Sequence, residues 1–367
     1  MSTLKSDILG ATLAIISSVA LFFYVVISFL HLAAVHDAPH DFSDYVHFTA
    51  QTSFDITTGH PLGRIFQNRV LGPYIIKALS FGSSDHYGTA YVCFQIVTVA
   101  IAAFLCWRLG RKYGGNNQYS LLALMLFIIC FASLQSPPLL YSWDFIDIIV
   151  FIVFLDFVLS SLSLPWFLGI FAIAIFNRDS ATFIALWLIL DPLVRFLYQR
   201  LYVLAKAPLD WHRILAGTIC IGAGLVIAEL LKRNLLIEEV APKLGSAAGL
   251  SSNLGLVQAA GLSYNLGLVQ NVYFLSHALF DLKFWVVVPF LSVAIALGAK
   301  LVRLDPQRYL AVYLVELSMI VSLLLFSLFE ESRVFLILIP FVVVSGVLVS
   351  ASDRRRTLAR DALKIQS

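Results

Sequence analysis

The chain is short of charge. Aspartate, glutamate, lysine and arginine make up only 13% of its 367 residues, against 60% hydrophobic residues and a mean hydropathy of +0.88. That balance excludes an ordinary soluble domain. Cysteine is scarce as well: Cys93, Cys106, Cys130 and Cys220 form no CxxC and all lie in apolar runs, so they read as packing residues and say nothing of redox compartment. No Walker A, GxGxxG, GxSxG or zinc-ligand signature occurs, which argues against nucleotide hydrolysis and serine hydrolase chemistry. There is no Asn-x-Ser/Thr sequon.

What is abundant is apolar sequence in runs long enough to cross a bilayer core of about 30 Å. Ten such runs are expected, over 7–31, 87–109, 118–134, 144–160, 164–177, 181–198, 213–231, 284–302, 309–329 and 334–351. The first lacks a small-residue cleavage site and reads as a retained helix. The sequence therefore predicts an all-α polytopic transmembrane helix bundle of about ten spans. One transmembrane domain covers 1–367.

Basic residues sort the connections. With the N-terminus inside, the inner segments hold Lys5, Arg108, Arg111, Lys112, Arg195, Arg200, Lys206, Arg213, Lys300, Arg303, Arg308, Arg354, Arg355, Arg356, Arg360 and Lys364, sixteen of the 25 basic residues. The other nine spread through much longer outer connections. The positive-inside bias thus places both termini in the cytoplasm of a multi-pass protein, with a bacterial inner membrane as the expected location.

The outer face then collects the polar motifs. Two long outer segments stand out, 32–86 and 232–283. In the first, Phe48, Thr52 and Ile56, then Ile65, Val70, Tyr74 and Ile75, carry helical periodicity and suggest amphipathic helices along the membrane surface. The second contains a twelve-residue near-repeat, GLSSNLGLVQ then GLSYNLGLVQ, read as a duplicated loop or a substrate lid.

Acids and histidines crowd the first loop: His36, Asp37, His40, Asp41, Asp44, His47, Asp55 and His60. They could converge on a metal or form a solvated loop holding one catalytic carboxylate. Without an HExxH or cysteine pattern, a divalent metal is not favoured and no cofactor is expected. Asp144 and Asp147, three apart at the outer end of a span, share one helical face, and acids near hydrocarbon point to function or to bonding with a neighbouring helix. Asp156, Glu229 and Glu316 lie deeper and say less. Two tight outward hairpins, Asn177-Arg178-Asp179-Ser180 and Phe329-Glu330-Glu331-Ser332-Arg333, put arginines beside carboxylates. Their planar forks suit phosphate oxygens; the alternative is a rim salt bridge.

The first outer loop, DYVHFTAQTSFDITTGHPLGRIFQNRVLGPYI, resembles the GT-C superfamily of membrane glycosyltransferases. The series Asp44, Tyr45, Phe48, Ala50, Gly59, Pro61, Arg69 and Pro73 is similar to the family's progression from acid to aromatic, helix, glycine and proline. YSWDFIDI, FNRDSATF and EESRVFLILIP resemble outer-end motifs of bacterial proteins of this architecture. An acidic doublet seen in better-known branches is missing. The resemblance implies inverting, metal-independent transfer of a hexose or pentose from a polyprenyl-phosphate-linked sugar to a lipid or glycan acceptor. It implies Asp44 as general base with Asp41 in reserve, and Arg178, Arg333, Asp144, Arg69, Glu330, Asp179, His47 and Tyr45 around the substrate, Arg178 being held by Asp179. Membrane lipids are expected partners; nucleic acid is not. Readings of another kind are a transporter or flippase of a lipid-linked or anionic substrate, and an envelope polysaccharide polymerase.

Topology is testable on its own. In a cysteine-free background, Ser251→Cys should react with an impermeant maleimide added from outside, and Ser367→Cys only after permeabilisation. The opposite pattern refutes the charge-derived orientation.

Overall fold

The computed structural model describes residues 2–35, 50–51, 53–57, 69–135, 141–160, 163–203, 208–235, 282–326 and 332–366. Among them every regular element is helical. In chain order these are α1 (Ser2–Val35), α2 (Leu71–Leu79), α3 (Ser84–Gly114), α4 (Asn117–Leu134), α5 (Ser142–Ser160), α6 (Leu164–Ile175), α7 (Ala181–Tyr198), α8 (Trp211–Leu235), α9 (Leu282–Leu304), α10 (Pro306–Phe326) and α11 (Ile339–Gln366). A π-turn, Gln199–Val203, extends α7, and a 3-10 stretch, Ser332–Leu338, leads into α11.

Among the described residues, each of the ten expected apolar runs coincides with a helix, and eight helices are long and apolar enough to cross a membrane. The two outside that set have evident reasons. α5 carries three aspartates, and α6 has only 12 residues, about 18 Å of helix at 1.5 Å per residue. The chain is a multi-pass helix bundle, as its composition predicts.

α5 and the run Ser332–Thr357 form the centre. Nearly every residue of α5 from Ser142 to Leu159 is buried, and 89% of the most apolar window of the second run is buried. α3, α4 and α11 pack against α5 or against one another around it, α7 packs on α8 and α10, and α9 packs on α10 and α11. Phenylalanines join the layers: Phe151 meets Phe341, and Phe154 meets Phe167 and Trp187 at ring-centroid distances of 6.0–6.3 Å. By contrast α1 and α8 leave broad apolar faces exposed, as lipid-facing helices do.

Short polar turns close the helices. Gly115, at φ 87°, ends α3 in the left-handed region that glycine tolerates. Asn116 then caps α4, its Oδ1 accepting from the backbone N–H groups of Gln118 (3.0 Å) and Tyr119 (3.2 Å). Asp210 and Asp305 cap α8 and α10 in the same way, accepting from Arg213 and Arg308. These caps share one end of the bundle, here the Asp305 end. Ion pairs tie it further: Lys112 to Asp156 (2.7 Å), Arg195 and Arg213 to the buried Asp191 (2.9 and 2.8 Å), and Lys300 to Asp353 (2.6 Å). Of the basic residues assigned to the inner face, Lys112, Arg195, Arg213 and Lys300 thus cross-link this end.

At the opposite end α2 is amphipathic as expected, burying Gly72, Pro73 and Ile76 while Tyr74, Ile75 and Leu79 stay exposed. A helical stretch at 53–57 sits beside it. Ser53 and the carbonyl of Pro73 both bond the Tyr87 hydroxyl of α3, and Lys77 donates to the carbonyl of Thr57 (3.0 Å). The 249–270 near-repeat lies outside the described residues.

At Gly110, α3 and α4 approach closely, backbone against backbone. A Cβ there would meet the carbonyl oxygen of Tyr119 and stand 2.7 Å from Ser120 Cα, backbone atoms that cannot rotate aside. Gly110→Ala should therefore lower stability by about 1–3 kcal/mol, read as a fall in thermal midpoint in detergent. Gly169→Ala, where the added Cβ meets nothing within 4 Å, should be neutral or stabilising.

Candidate functional site

The sharp turn between α6 and α7 begins the site. The N–H groups of Asn177 and Arg178 both donate to the carbonyl of Ala174, at 2.9 and 3.0 Å, and Ala181 donates back to Arg178 at 3.2 Å. The carbonyl of Phe176 accepts from the N–H groups of Val70 (3.1 Å) and Leu71 (3.0 Å). Those two bonds dock the start of α2 on the turn and bring Arg69 beside Arg178.

From the other side, the Ser332 hydroxyl donates to the carbonyl of Leu134 at 2.8 Å, tying the 3-10 stretch to the end of α4. Arg333 is next in the chain. Its Nη1 donates to Asp144 Oδ2 at 3.0 Å, while Arg178 Nη1 donates to Asp144 Oδ1 at 3.3 Å. The two arginines meet at Asp144, whose side chain lies between them.

One turn along α5, Asp147 is held by a different set. Asn177 Nδ2 donates to its Oδ1 at 2.7 Å, the Ser180 hydroxyl lies 3.3 Å from each of its oxygens, and Arg178 Nη1 is 3.5 Å from Oδ2. The second amide hydrogen of Asn177 satisfies the carbonyl of Trp143 at 2.9 Å. All four polar residues of the turn's neighbourhood are enclosed: side-chain exposure is 3% for Asp144, 2% for Asp147, 6% for Arg333 and 15% for Arg178.

Aromatic rings complete the cluster. Tyr141 and Trp143 stack with centroids 4.4 Å apart; the guanidinium of Arg333 lies 4.5 Å from the Tyr141 ring centre, and that of Arg69 lies 5.1 Å from the Trp143 ring. Such contacts suit arginine, whose flat and weakly hydrated cation tolerates burial against a π face. Burial first, then the positive charge of Arg178, hold the Arg69 guanidinium below its ordinary range, down to about 9; Asp144 opposes that shift. It stays protonated at neutral pH.

Among the described residues, three guanidinium groups and two carboxylates thus share a nearly water-free setting. Arg178 also has donors to spare, since only its Nη1 bonds the protein. Close by, at the end of α4, Gln135 is 6% exposed and neither atom of its amide has a partner. An arrangement of this kind can take up an anionic group carrying hydroxyls or phosphate oxygens.

One expectation is corrected. Arg178 is held by Asp144 and Asp147 of α5, not by its neighbour Asp179, which is exposed. Adjacent residues in the turn point apart, and the buried acids across the bundle gain more from a buried cation than a solvated one does. Asp41, Asp44, Tyr45, His47 and Glu330 lie outside the described residues. Among the described residues no group of three or more histidines, cysteines or acids is placed to hold a metal ion. Asn177 and Ser180 were visible only as the polar flanks of the arginine, and Tyr141 and Gln135 gave no signal beyond their place at a helix end.

Comparison with known proteins returned no match: no family model, no curated protein and no solved structure matches the chain.

Removing the shared carboxylate should be costly. Asp144→Asn removes the buried carboxylate that Arg178 and Arg333 share, and the expected loss is about 3–5 kcal/mol. The exposed Arg355→Gln, far from this cluster, should stay within about 0.5 kcal/mol of the parent. Thermal or denaturant unfolding in detergent compares the two; an equal loss in both would undo the assignment of Asp144 as the hub.

Proposed function

We propose that the chain is a membrane glycosyltransferase that moves a sugar from a polyprenyl-phosphate donor to a lipid-linked or cell-envelope glycan acceptor. It would work at the Arg178 end of the bundle, on the outer face of a bacterial inner membrane, with both termini cytoplasmic. The observation that carries this reading is the buried cluster of Arg69, Arg178 and Arg333, fixed by Asp144 and Asp147, with donors of Arg178 beyond its Nη1 left over among the described residues.

The chemistry follows from the charge. An acceptor hydroxyl oxygen attacks the anomeric carbon from the face opposite the phosphate. The bond between that carbon and the phosphate oxygen breaks, and its electron pair stays on the phosphate. Negative charge therefore grows on the leaving group in the transition state. Preorganised guanidinium groups in a dry site are suited to stabilise it. Asp144 and Asp147 keep those groups aimed, so they are positioning residues. The hydroxyl proton needs an ionised carboxylate, and Asp44 of the first loop is assigned that role from its place in the sequence.

The test uses the purified full-length protein with a polyprenyl-phosphate sugar and follows both sugar transfer and release of polyprenyl phosphate. Arg178→Lys keeps the charge and loses the fork; kcat should fall about 10²-fold with the fold intact. Asp44→Asn should slow transfer at least about 100-fold. If both variants turn over like the parent, the transferase reading fails. Movement of the intact donor across a vesicle membrane without release of polyprenyl phosphate would favour a flippase instead.

A further inference from the structure

The Asp305 end carries a second cationic feature, remote from the arginine cluster. α9 and α11 pack together along their length, and near the end of α9 they leave a hollow of about 460 Å³. Ala296, Ala299, Lys300, Arg303 and Leu304 line it from α9, and Arg356 from α11. The α9 positions fall at intervals of three and four, so they form one helical face, and its two alanines make the room.

The cations of this hollow are not equivalent. Lys300 is engaged by Asp353 at 2.6 Å. Arg303 and Arg356 are exposed and make no hydrogen bond or ion pair among the described residues. The other nearby acid, Asp305, accepts the backbone N–H of Arg308 as a helix cap. Two guanidinium groups thus stand open on either side of a floor of alanine and leucine.

Position decides what chemistry suits them. The apolar window of α9 runs from Trp285 to Leu304, so Arg303 sits at its boundary, at headgroup depth for a helix that crosses a membrane. Further up the same helix Ile295 and Val293 are exposed, 38% and 48%, and continue an apolar surface away from the hollow. A free phosphate ion would use the arginines and gain nothing from the floor. A phosphodiester joined to acyl chains uses both.

We propose that the hollow between α9 and α11 binds one anionic phospholipid, its phosphate between Arg303 and Arg356 and its chains along the exposed face of α9. Juxtamembrane arginines attract anionic lipid through charge alone; a shaped hollow adds saturable, selective binding. This site does not depend on the proposed transferase activity.

The experiment titrates the purified full-length protein in dodecyl maltoside with phosphatidylglycerol, phosphatidylcholine or inorganic phosphate at constant ionic strength. Thermal midpoint and native mass spectrometry are the readouts. Phosphatidylglycerol should raise the midpoint saturably and appear as one tightly retained lipid; phosphatidylcholine and phosphate should do neither. Arg303→Gln with Arg356→Gln should weaken the effect at least tenfold, whereas Arg354→Gln with Arg355→Gln, on neighbours that do not line the hollow, should leave it. Both pairs change exposed residues, so folding is retained and the comparison stands. An equal shift with phosphatidylcholine or with phosphate alone, or an equal loss in the Arg354/Arg355 pair, overturns the proposal. Arg178→Lys should bind phosphatidylglycerol like the parent, so failure at either site is told from failure at the other.

Discussion

Asp144 divides its two carboxylate oxygens between arginines that stand 34 and 189 residues further along the chain. An ion buried to this degree is tolerable only with its partners in place, and removing one partner costs several kcal/mol. The contact therefore acts as a constraint on everything that carries it. α5 must present its acidic end to the turn before α7, and the 3-10 stretch must deliver Arg333 from the far side. Once both conditions hold, Arg69 is drawn in by the backbone bonds of Val70 and Leu71 to Phe176. One carboxylate thus relates the start of the chain, its middle and its last spans.

The bundle is polar at its two ends in different ways. At the Asp305 end, several cations and acids pair within or between helices, most of them half exposed, while Arg303 and Arg356 stand open. The pairs hold register, and each exposed one contributes little stability. At the Arg178 end three guanidinium groups and two carboxylates of the described residues are enclosed. Exposed pairs are cheap to keep on a solvated face; enclosed charges are costly to assemble. That asymmetry, more than any single contact, directs attention to the Arg178 end for chemistry.

The helices were legible because hydrocarbon imposes a simple rule: a span needs an apolar run of sufficient length, and few other patterns produce one. Even α5, with aspartates at 144, 147 and 156, was readable from the apolar residues between them. The turn at 177–180 was readable too, since only a tight connection relieves a polar knot between two oily runs. What could not be read was pairing. Nothing in the sequence near Arg178 announces that its carboxylates come from α5, while Asp179 stands next to it and invites the wrong choice. Asn177 and Ser180 were overlooked because neither is charged, yet they satisfy Asp147. Long-range polar contacts depend on packing that local pattern does not encode.

The choice of arginine at all three positions is itself informative. A lysine would supply the same formal charge, but its ammonium is more strongly hydrated and costs more to bury. It also lacks the flat face that Arg69 sets against Trp143 and Arg333 against Tyr141. At position 178 a guanidinium lies within reach of two carboxylates through one nitrogen and keeps its remaining donors open. A purely structural ion pair has no use for those spare donors. A site that must hold an oxyanion whose charge grows during reaction does, because donors already fixed in place need no reorganisation when the charge develops.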